Sequence, residues 1–404
     1  MSKHSTHRPV HVRTLAVHGG QIPDAATGAI APPIVTTSSY SYGDFDSGVD
    51  RFTGEKPGFL YSRFANPTVA VFEAKMAALE GGEAAVGFAS GMAAISSTLL
   101  AMLSAGDEIV SVGTLYGGTQ GVIGSLLPRL GIQSNQVSRL EELAAAMTPR
   151  TRVVYVETPA NPVLGIVDLA ATARIAHEFG AIVVADNTFA TPCLTQPLAL
   201  GIDIVVHSAT KFISGHGDTT GGIAVGTADA MRKVRQAGMM QLGSCLSPHD
   251  ASMLIRGLKT MPLRIEASSA SAQKIAEFLD GHDAINAVHY PGLRGHPGHD
   301  VAARQMSAFG GILSFEMKGG RSAARSFLDA LTLVTQAVSV GDTDSLACHP
   351  VTTTHSAVPE DIREKGGVTE GLVRLSVGIE FADDLLDDIQ QALTQISVCR
   401  GTHL

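Results

Sequence analysis

A lysine set among hydroxyls, at the end of an apolar run, is the most chemically loaded feature of this chain. Ile202–Val206 leads into Ser208, Thr210 and Lys211, and Gly215, Gly217, Gly221 and Gly222 follow. A continuous apolar run of that length reads as a buried strand. The two hydroxyls can donate to phosphate oxygens. A lysine held among apolar and cationic neighbours can lose its proton and form a Schiff base with a carbonyl. Strand, hydroxyls, lysine and glycine-rich loop together suit a ligand carrying both an anion and an aldehyde. A solvated lysine in an ordinary loop has the same local sequence, so the reading depends on what else the chain brings to this place.

The elements that would position this loop alternate along the chain. Pro67 to Leu79 has helical spacing, with Val69, Phe72, Met76 and Leu79 on one face. Ser90-Gly91-Met92 opens a helix that runs through Leu103. Ile109–Val112, Arg152–Val156, Ala181–Ala185, Ile202–Val206 and Gly222–Val225 are expected strands. Leu140–Met147 and Leu169–Phe179 are expected helices between them. Apolar runs separated by helices indicate an α/β fold with a mostly parallel sheet covered on both faces. A long helical stretch, Ile265 to Leu279, then leads into a smaller α+β unit. There Ile312–Phe315 and Leu372–Ser376 are expected strands, and Ala323–Leu331 and Asp384–Ile396 expected helices. Residues 1 to about 60 hold no long periodic segment and are punctuated by Pro and Gly. Three units are expected: an arm over 1–63 that packs on another subunit or lines a site, a ligand-binding domain over 64–262, and a C-terminal domain over 263–404.

In open parallel sheets, ligands bind beyond the carboxyl ends of the strands. Tyr116 follows the first of these strands, Glu157 and Asn161 the second, Asp186 the third, and Ser208, Thr210 and Lys211 the fourth. This set fits a cationic heteroaromatic ring that bears an aldehyde and a phosphate, and pyridoxal 5′-phosphate is such a molecule. Asp186 can keep the pyridine nitrogen protonated, which makes the ring an electron sink. Tyr116 can stack on the ring, and Asn161 can bond the ring hydroxyl. The phosphate would find N–H groups at Ser90-Gly91-Met92, where a helix begins, and a guanidinium fork at Arg63. Each residue also has a plainer use: Asp186 and Asn161 as turn residues, Ser90 as a helix cap, Tyr116 in loop packing.

The totals exclude several rivals. The chain has 404 residues, 45% hydrophobic and 17% charged, which is a globular composition of more than one small core. A net charge of −9 with no Lys/Arg block argues against a nucleic-acid surface. No apolar run reaches the ~20 residues of a membrane helix. Met1 to Arg13 is polar and His-rich, so no signal peptide is expected. Cys193, Cys245, Cys348 and Cys399 have no metal or disulfide spacing, and a cytoplasmic, reducing location is expected. A nicotinamide enzyme is disfavoured because Gly215-x-Gly217 is followed by Thr220 where the third glycine of the fingerprint belongs. His296-Pro-Gly-His299 is a close histidine pair in a Pro/Gly loop, and no metal role is expected for it.

Ser208-Ala209-Thr210-Lys211 followed by Ser214-Gly215-His216, with Asp186-Asn187-Thr188 upstream, resembles the Cys/Met-metabolism family of pyridoxal-phosphate enzymes. The likeness includes Tyr61-Ser-Arg63-x-x-Asn66-Pro67-Thr68, Tyr116-Gly117-Gly118-Thr119, Gly341-Asp342, His349-Pro350 and Arg374-Leu375-Ser376-Val377-Gly378. The resemblance implies an aspartate-aminotransferase-like fold and a homotetramer built as a dimer of dimers with shared active sites. It implies that Tyr61 and Arg63 reach the phosphate bound by the neighbouring subunit. It implies backbone amides of Gly91 and Met92 for the phosphate, and Arg374, helped by Ser339, for the carboxylate of an amino-acid substrate.

Within that family the methionine γ-lyases are nearest in Ser214-Gly-His-Gly-Asp218, Leu246-Ser-Pro-His-Asp250 and Arg256-Gly-Leu-Lys-Thr260. Val338 stands where cystathionine γ-lyases tend to place a glutamate, which favours an uncharged thioether tail. Gly118 stands where methionine γ-lyases usually carry a cysteine, and Met239-Met240 where they carry a Lys-Asp pair. Two thioethers there would make the pocket more apolar. The implied chemistry is γ-elimination on L-methionine, with Lys211 as base and Tyr116 as the acid that protonates the departing thiol. Cystathionine γ-lyase and γ-replacement on an activated homoserine stay open beside it.

Overall fold

The computed structural model describes residues 10–356, 358 and 360–401. Most of the polar stretch Met1 to Arg13 therefore lies outside the described residues, as do residues 402–404 of the expected C-terminal domain.

Valine-rich strands dictate the larger sheet. Its strands are β1 (Ala84–Phe88), β2 (Glu108–Val112), β3 (Gln133–Val137), β4 (Thr151–Glu157), β5 (Ile182–Asp186), β6 (Ile204–Ser208) and β7 (Gly222–Gly226). The spatial order is β1-β7-β6-β5-β4-β2-β3. Only β7 runs against the others. Alternate residues of each strand face opposite sides. Val153, Tyr155, Val184, Ile204 and Val206 join one apolar cluster, whereas Val154, Val156, Val183, Ala185 and Val205 join another. Both faces are covered, which is why these runs are apolar throughout rather than alternating. Beside β1, the strand that sequence reasoning missed in this sheet is β3. It reads Gln-Ser-Asn-Gln-Val, is exposed except at Val137, and lies on the sheet edge, where polar residues protect an open ladder.

Helix caps match the local chemistry. Asn66 accepts from Thr68 N at 2.9 Å ahead of Pro67, and Gly81 at φ +75° ends that helix, Pro67–Glu80. Ser90 Oγ accepts from Ala93 N at 3.1 Å and caps Gly91–Met102. The segment expected as one helix over Leu140–Met147 is a tight turn, Leu140–Glu142, followed by Leu143–Ala146. In the first sixty residues two short helices, Val12–His18 and Phe45–Thr53, interrupt the otherwise irregular chain.

The second sheet has β8 (Ile285–His289), β9 (Ile312–Met317), β10 (Thr335–Gln336), β11 (Leu346–Cys348) and β12 (Leu372–Ser376), in the order β10-β11-β12-β9-β8. A single helix, Pro248–Asp280, runs without a break through Pro262, the expected border between the two units. It packs on helix Pro67–Glu80 from the first unit and on β8 and β9 from the second, so it joins the two sheets into one body.

Candidate active site

Because β1, β2, β4, β5 and β6 point the same way, their carboxyl ends share one edge with the start of β7. Register puts Glu157 beside Asp186 and Ser208 beside Gly222. Along that edge lies a cavity of about 330 Å³. Its wall contains Ser90, Gly91, Met92, Tyr116, Asn161, Asp186, Ser208, Thr210, Lys211 and Arg374 from the expected set. Glycine makes the close approach possible. A Cβ on Gly91 would sit 2.6 Å from Ser208 Cβ, and one on Gly222 would sit 2.1 Å from the Ser90 carbonyl oxygen. The first turn of helix Gly91–Met102 therefore lies directly against the end of β6, with its amide N–H groups at the cavity.

Lys211 Nζ donates to Ser339 Oγ at 3.4 Å. Burial and the nearby Arg374 charge hold Lys211 below the usual lysine range, against the pull of Asp342. This is the environment a nucleophilic amine requires. Arg374, 4% exposed on β12, donates to Asn161 Oδ1 at 2.8 Å and to the Val338 carbonyl at 2.7 Å. It is an interior residue aimed at the cavity rather than a surface ion pair. Ser339, expected beside the substrate carboxylate, has its hydroxyl on Lys211 instead. Asn161 spends its Oδ1 on Arg374. Thr210 Oγ1 accepts from Gly221 N at 3.1 Å, which ties the lysine loop to the start of β7.

The acidic end of the cavity is built from β4 and β5. Asp186 Oδ1 accepts from Thr188 N at 2.9 Å, the turn role open to any aspartate, and burial pushes its carboxyl up. Glu157 Oε2 accepts from Tyr116 N at 2.7 Å. Burial, then the Asp186 charge, pushes Glu157 up to about 8. Glu157 Oε1 is buried without a hydrogen-bond partner, and among the described residues neither carboxylate has an ion-pair partner. Two adjacent carboxyls in this state, Glu157 buried and Asp186 half-buried, match a cation. A protonated ring nitrogen beside Asp186 answers that need. The helix start at Gly91 and Met92, with the Ser208 and Thr210 hydroxyls, suits a phosphate, and Lys211 Nζ suits an aldehyde carbon. The donor set therefore fits the ring nitrogen, the phosphate and the aldehyde of pyridoxal phosphate.

Several expected site residues lie elsewhere. Tyr61 and Arg63 are not in this cavity. Arg63 donates to the carbonyls of Met239 and Met240, each at 3.0 Å, and its guanidinium lies 4.7 Å from the Phe64 ring centre. Met239 and Met240 do not line the cavity either. Met239 is buried in the apolar cluster around Phe88, and Met240 is exposed. Their backbone, not their thioethers, is what the arm uses. Sequence reasoning gave no role to Glu157, Thr188, Phe189, Val340 or Thr354, all of which line the cavity. For Glu157 the signal was present, since it ends a strand one place from Asp186 in the sheet.

Comparison with known proteins agrees with this chemistry. The family model described as Cys/Met metabolism PLP-dependent enzyme matches residues 13–394. The chain is 47% identical to an L-methionine gamma-lyase of Pseudomonas putida, over 96% of this chain and 99% of that protein. It is 43% identical to a cystathionine gamma-lyase of Bacillus subtilis, over 95% of this chain and 99% of that protein. The solved structure of cystathionine gamma synthase from Xanthomonas oryzae pv. oryzae, in complex with aminoacrylate and cysteine, superposes with a TM-score of 0.92 at 39% identity, covering 97% of this chain and all of that one.

Proposed function

The chain belongs to the Cys/Met metabolism family of PLP-dependent enzymes, and on that footing we propose that it is a carbon–sulfur lyase converting L-methionine to methanethiol, 2-oxobutanoate and ammonia. Its cofactor is pyridoxal 5′-phosphate and its fold is type I among PLP enzymes, the aspartate-aminotransferase type. The observation that carries the choice of substrate is Val338. Its side chain is 57% exposed at the cavity wall, while its carbonyl is held by Arg374. A substrate whose carboxylate meets Arg374 therefore has an apolar surface within reach of its tail.

The bound cofactor supplies an electron-withdrawing ring that accepts the electron pair left at Cα. The side chains do the rest. Asp186 keeps the ring nitrogen protonated. Arg374, already fixed by Asn161 and the 338–339 backbone, orients the carboxylate so that the Cα–H bond faces Lys211. Lys211 Nζ takes the Cα proton, and a further proton shift at Cβ prepares loss of the γ-substituent. The Tyr116 hydroxyl gives a proton to the departing sulfur. The amide N–H of the same tyrosine is anchored on Glu157, which fixes where its ring begins.

Tyr61 and Arg63 would serve the phosphate of a neighbouring subunit in a tetramer of close dimers. A reducing compartment, the cytoplasm, suits Cys193, Cys245 and Cys348, which are unpaired.

The substrate reading is tested by 2-oxobutanoate release from L-methionine, L-homocysteine and L-cystathionine separately, then from O-acetyl- or O-succinylhomoserine with sulfide. Burying a distal ammonium without a partner costs a few kcal/mol, whereas a methyl group gains about 0.8 kcal/mol. L-Methionine or L-homocysteine should therefore show the higher kcat/KM. Faster cleavage of cystathionine would assign the transsulfuration lyase instead. Thiol incorporation with little keto acid would assign a γ-replacement enzyme.

A further inference from the structure

The loop Ser339–Asp342 is pressed onto the lysine segment from behind. A Cβ on Gly341 would meet Phe212 N at 2.7 Å and the Phe212 ring at 2.8 Å, and Gly341 itself has φ +81°. Only glycine fits both the backbone conformation and the space. Gly341 N donates to Ser376 Oγ at 2.9 Å, which fastens the loop to β12 two residues beyond Arg374. At the first end of this loop, Ser339 Oγ accepts from Lys211 Nζ. At the other end is Asp342. A Cβ on Gly217 would lie 3.4 Å from Asp342 Cγ and 3.4 Å from its Oδ2, so this carboxyl closes over the glycine loop that follows Lys211. Asp342 Oδ1 is buried without a hydrogen-bond partner. The mechanism above gives this carboxyl no task.

We propose that Asp342 is a positioning residue for Lys211: its charge, acting alongside Ser339 and against Arg374, sets how firmly Nζ holds the proton it takes from Cα. The proposal rests on the assignment of Lys211 as the base. Six groups surround or face that amine. Arg374 comes from β12 and Asp342 from the loop. Arg264 of the long helix donates to the Phe212 carbonyl at 2.9 Å, behind the loop. Tyr116, Glu157 and Asp186 stand on the cavity wall with it. Burial, then Arg374, favours the neutral amine and Asp342 the ammonium; burial holds the Asp342 carboxyl above its ordinary range, and Lys211 pulls it back toward the ionised form. A base that must accept a proton and later return it needs both influences. With Arg374 alone the amine would be neutral but a weak acceptor. With Asp342 alone it would stay protonated.

The test reads Lys211 directly in the full chain freed of cofactor. Competitive acetylation with trace acetic anhydride across a pH series, followed by peptide mass spectrometry, gives the midpoint at which Nζ becomes reactive. Asp342→Asn should lower that midpoint by about one pH unit, the scale of one nearby opposite charge. Asp342→Glu should restore it. In the loaded enzyme D342N should lower kcat several-fold and leave KM in place. If D342N does not fold, Asp342→Gly removes the same charge from a loop already built on glycine and carries the same expectation. A folded D342N or D342G whose midpoint is unmoved, or moves upward, overturns the proposal. The labelling needs no substrate, so it stands apart from whether methionine is the right amino acid. Were Lys211 not the base, K211A would retain turnover whatever the midpoint showed.

Discussion

Glu157 shows how much of this site is decided by single atoms. It ends β4, donates nothing, and is kept protonated by burial and by Asp186 across the register. Unfolded, such a carboxyl ionises near its ordinary value of 4.5, whereas folded it holds its proton up to about 8. Between those values the folded state binds the extra proton, so stability falls as pH rises through the window and the deficit is largest above it. The magnitude is on the order of several kcal/mol. Glu157→Gln keeps an oxygen for Tyr116 N and abolishes the titration. In cofactor-free protein its thermal midpoint should exceed that of the parent by more at pH 8 than at pH 5. Equal differences at the two pH values would contradict the assignment. Bound cofactor, by bringing a cation to the pair, should flatten the dependence. At this scale the sequence was most legible where a strand end pins the residue. Lys211, Asp186, Ser208, Thr210 and Tyr116 all come together at the cavity. It was least legible where two partners compete for one atom. Asn161 lines the cavity and Ser339 touches Lys211, yet their oxygens engage Arg374 and Lys211 rather than the expected groups, and no spacing rule foretells which partner wins.

Among the elements, helix Pro248–Asp280 backs the loop that carries the lysine. Its Gly257 touches the backbone after Lys211: a Cβ there would lie 2.4 Å from the Ile213 carbonyl oxygen and 2.3 Å from that of Ser214. Seven residues on, Arg264 donates to the carbonyls of Phe212 and Gly257 at 2.9 and 2.8 Å. Backbone cannot yield as a flexible side chain does, so Gly257→Ala should destabilise by about 1–3 kcal/mol. Denaturation should show that loss, and cofactor retention should weaken in parallel because the strain falls on the loop carrying Lys211. Full retention at parental stability would mean that the helix can move away at no cost. The start of this helix was not legible. Expected at Ile265, it begins at Pro248: Ala251, Leu254, Ile255, Leu258, Met261 and Pro262 already form a one-sided buried stripe, but a proline inside that stripe reads as a helix stop. Pro262 looked like a border, and the chain carries it inside the helix. The central strands were legible to within two residues, since full burial writes itself as continuous Val, Ile and Ala.

At the scale of the whole molecule, the arm leaves apolar surface uncovered. Ile22, Ile30, Phe45 and Phe52 are between 69% and 83% exposed, and all lie within residues 22–52. So many large apolar side chains in one segment are a mark of an interface, which agrees with the proposed shared site. Arg63→Ala should then weaken cofactor retention. Mixing it with Lys211→Ala should regenerate activity in hybrid dimers, where one site in two carries both intact residues. Absence of recovery, with subunit exchange shown by native mass spectrometry, would place Arg63 in the service of its own chain. The adjacent acids at the ends of β4 and β5 have a consequence beyond the reaction. A ligand bound only by the folded state stabilises it in proportion to the logarithm of its concentration. Here that ligand also brings a cation to carboxyls that the empty fold otherwise favours in their neutral form. Chain that has lost the cofactor should therefore be digested faster than loaded chain, so limited proteolysis with and without added pyridoxal phosphate reads how full the site is.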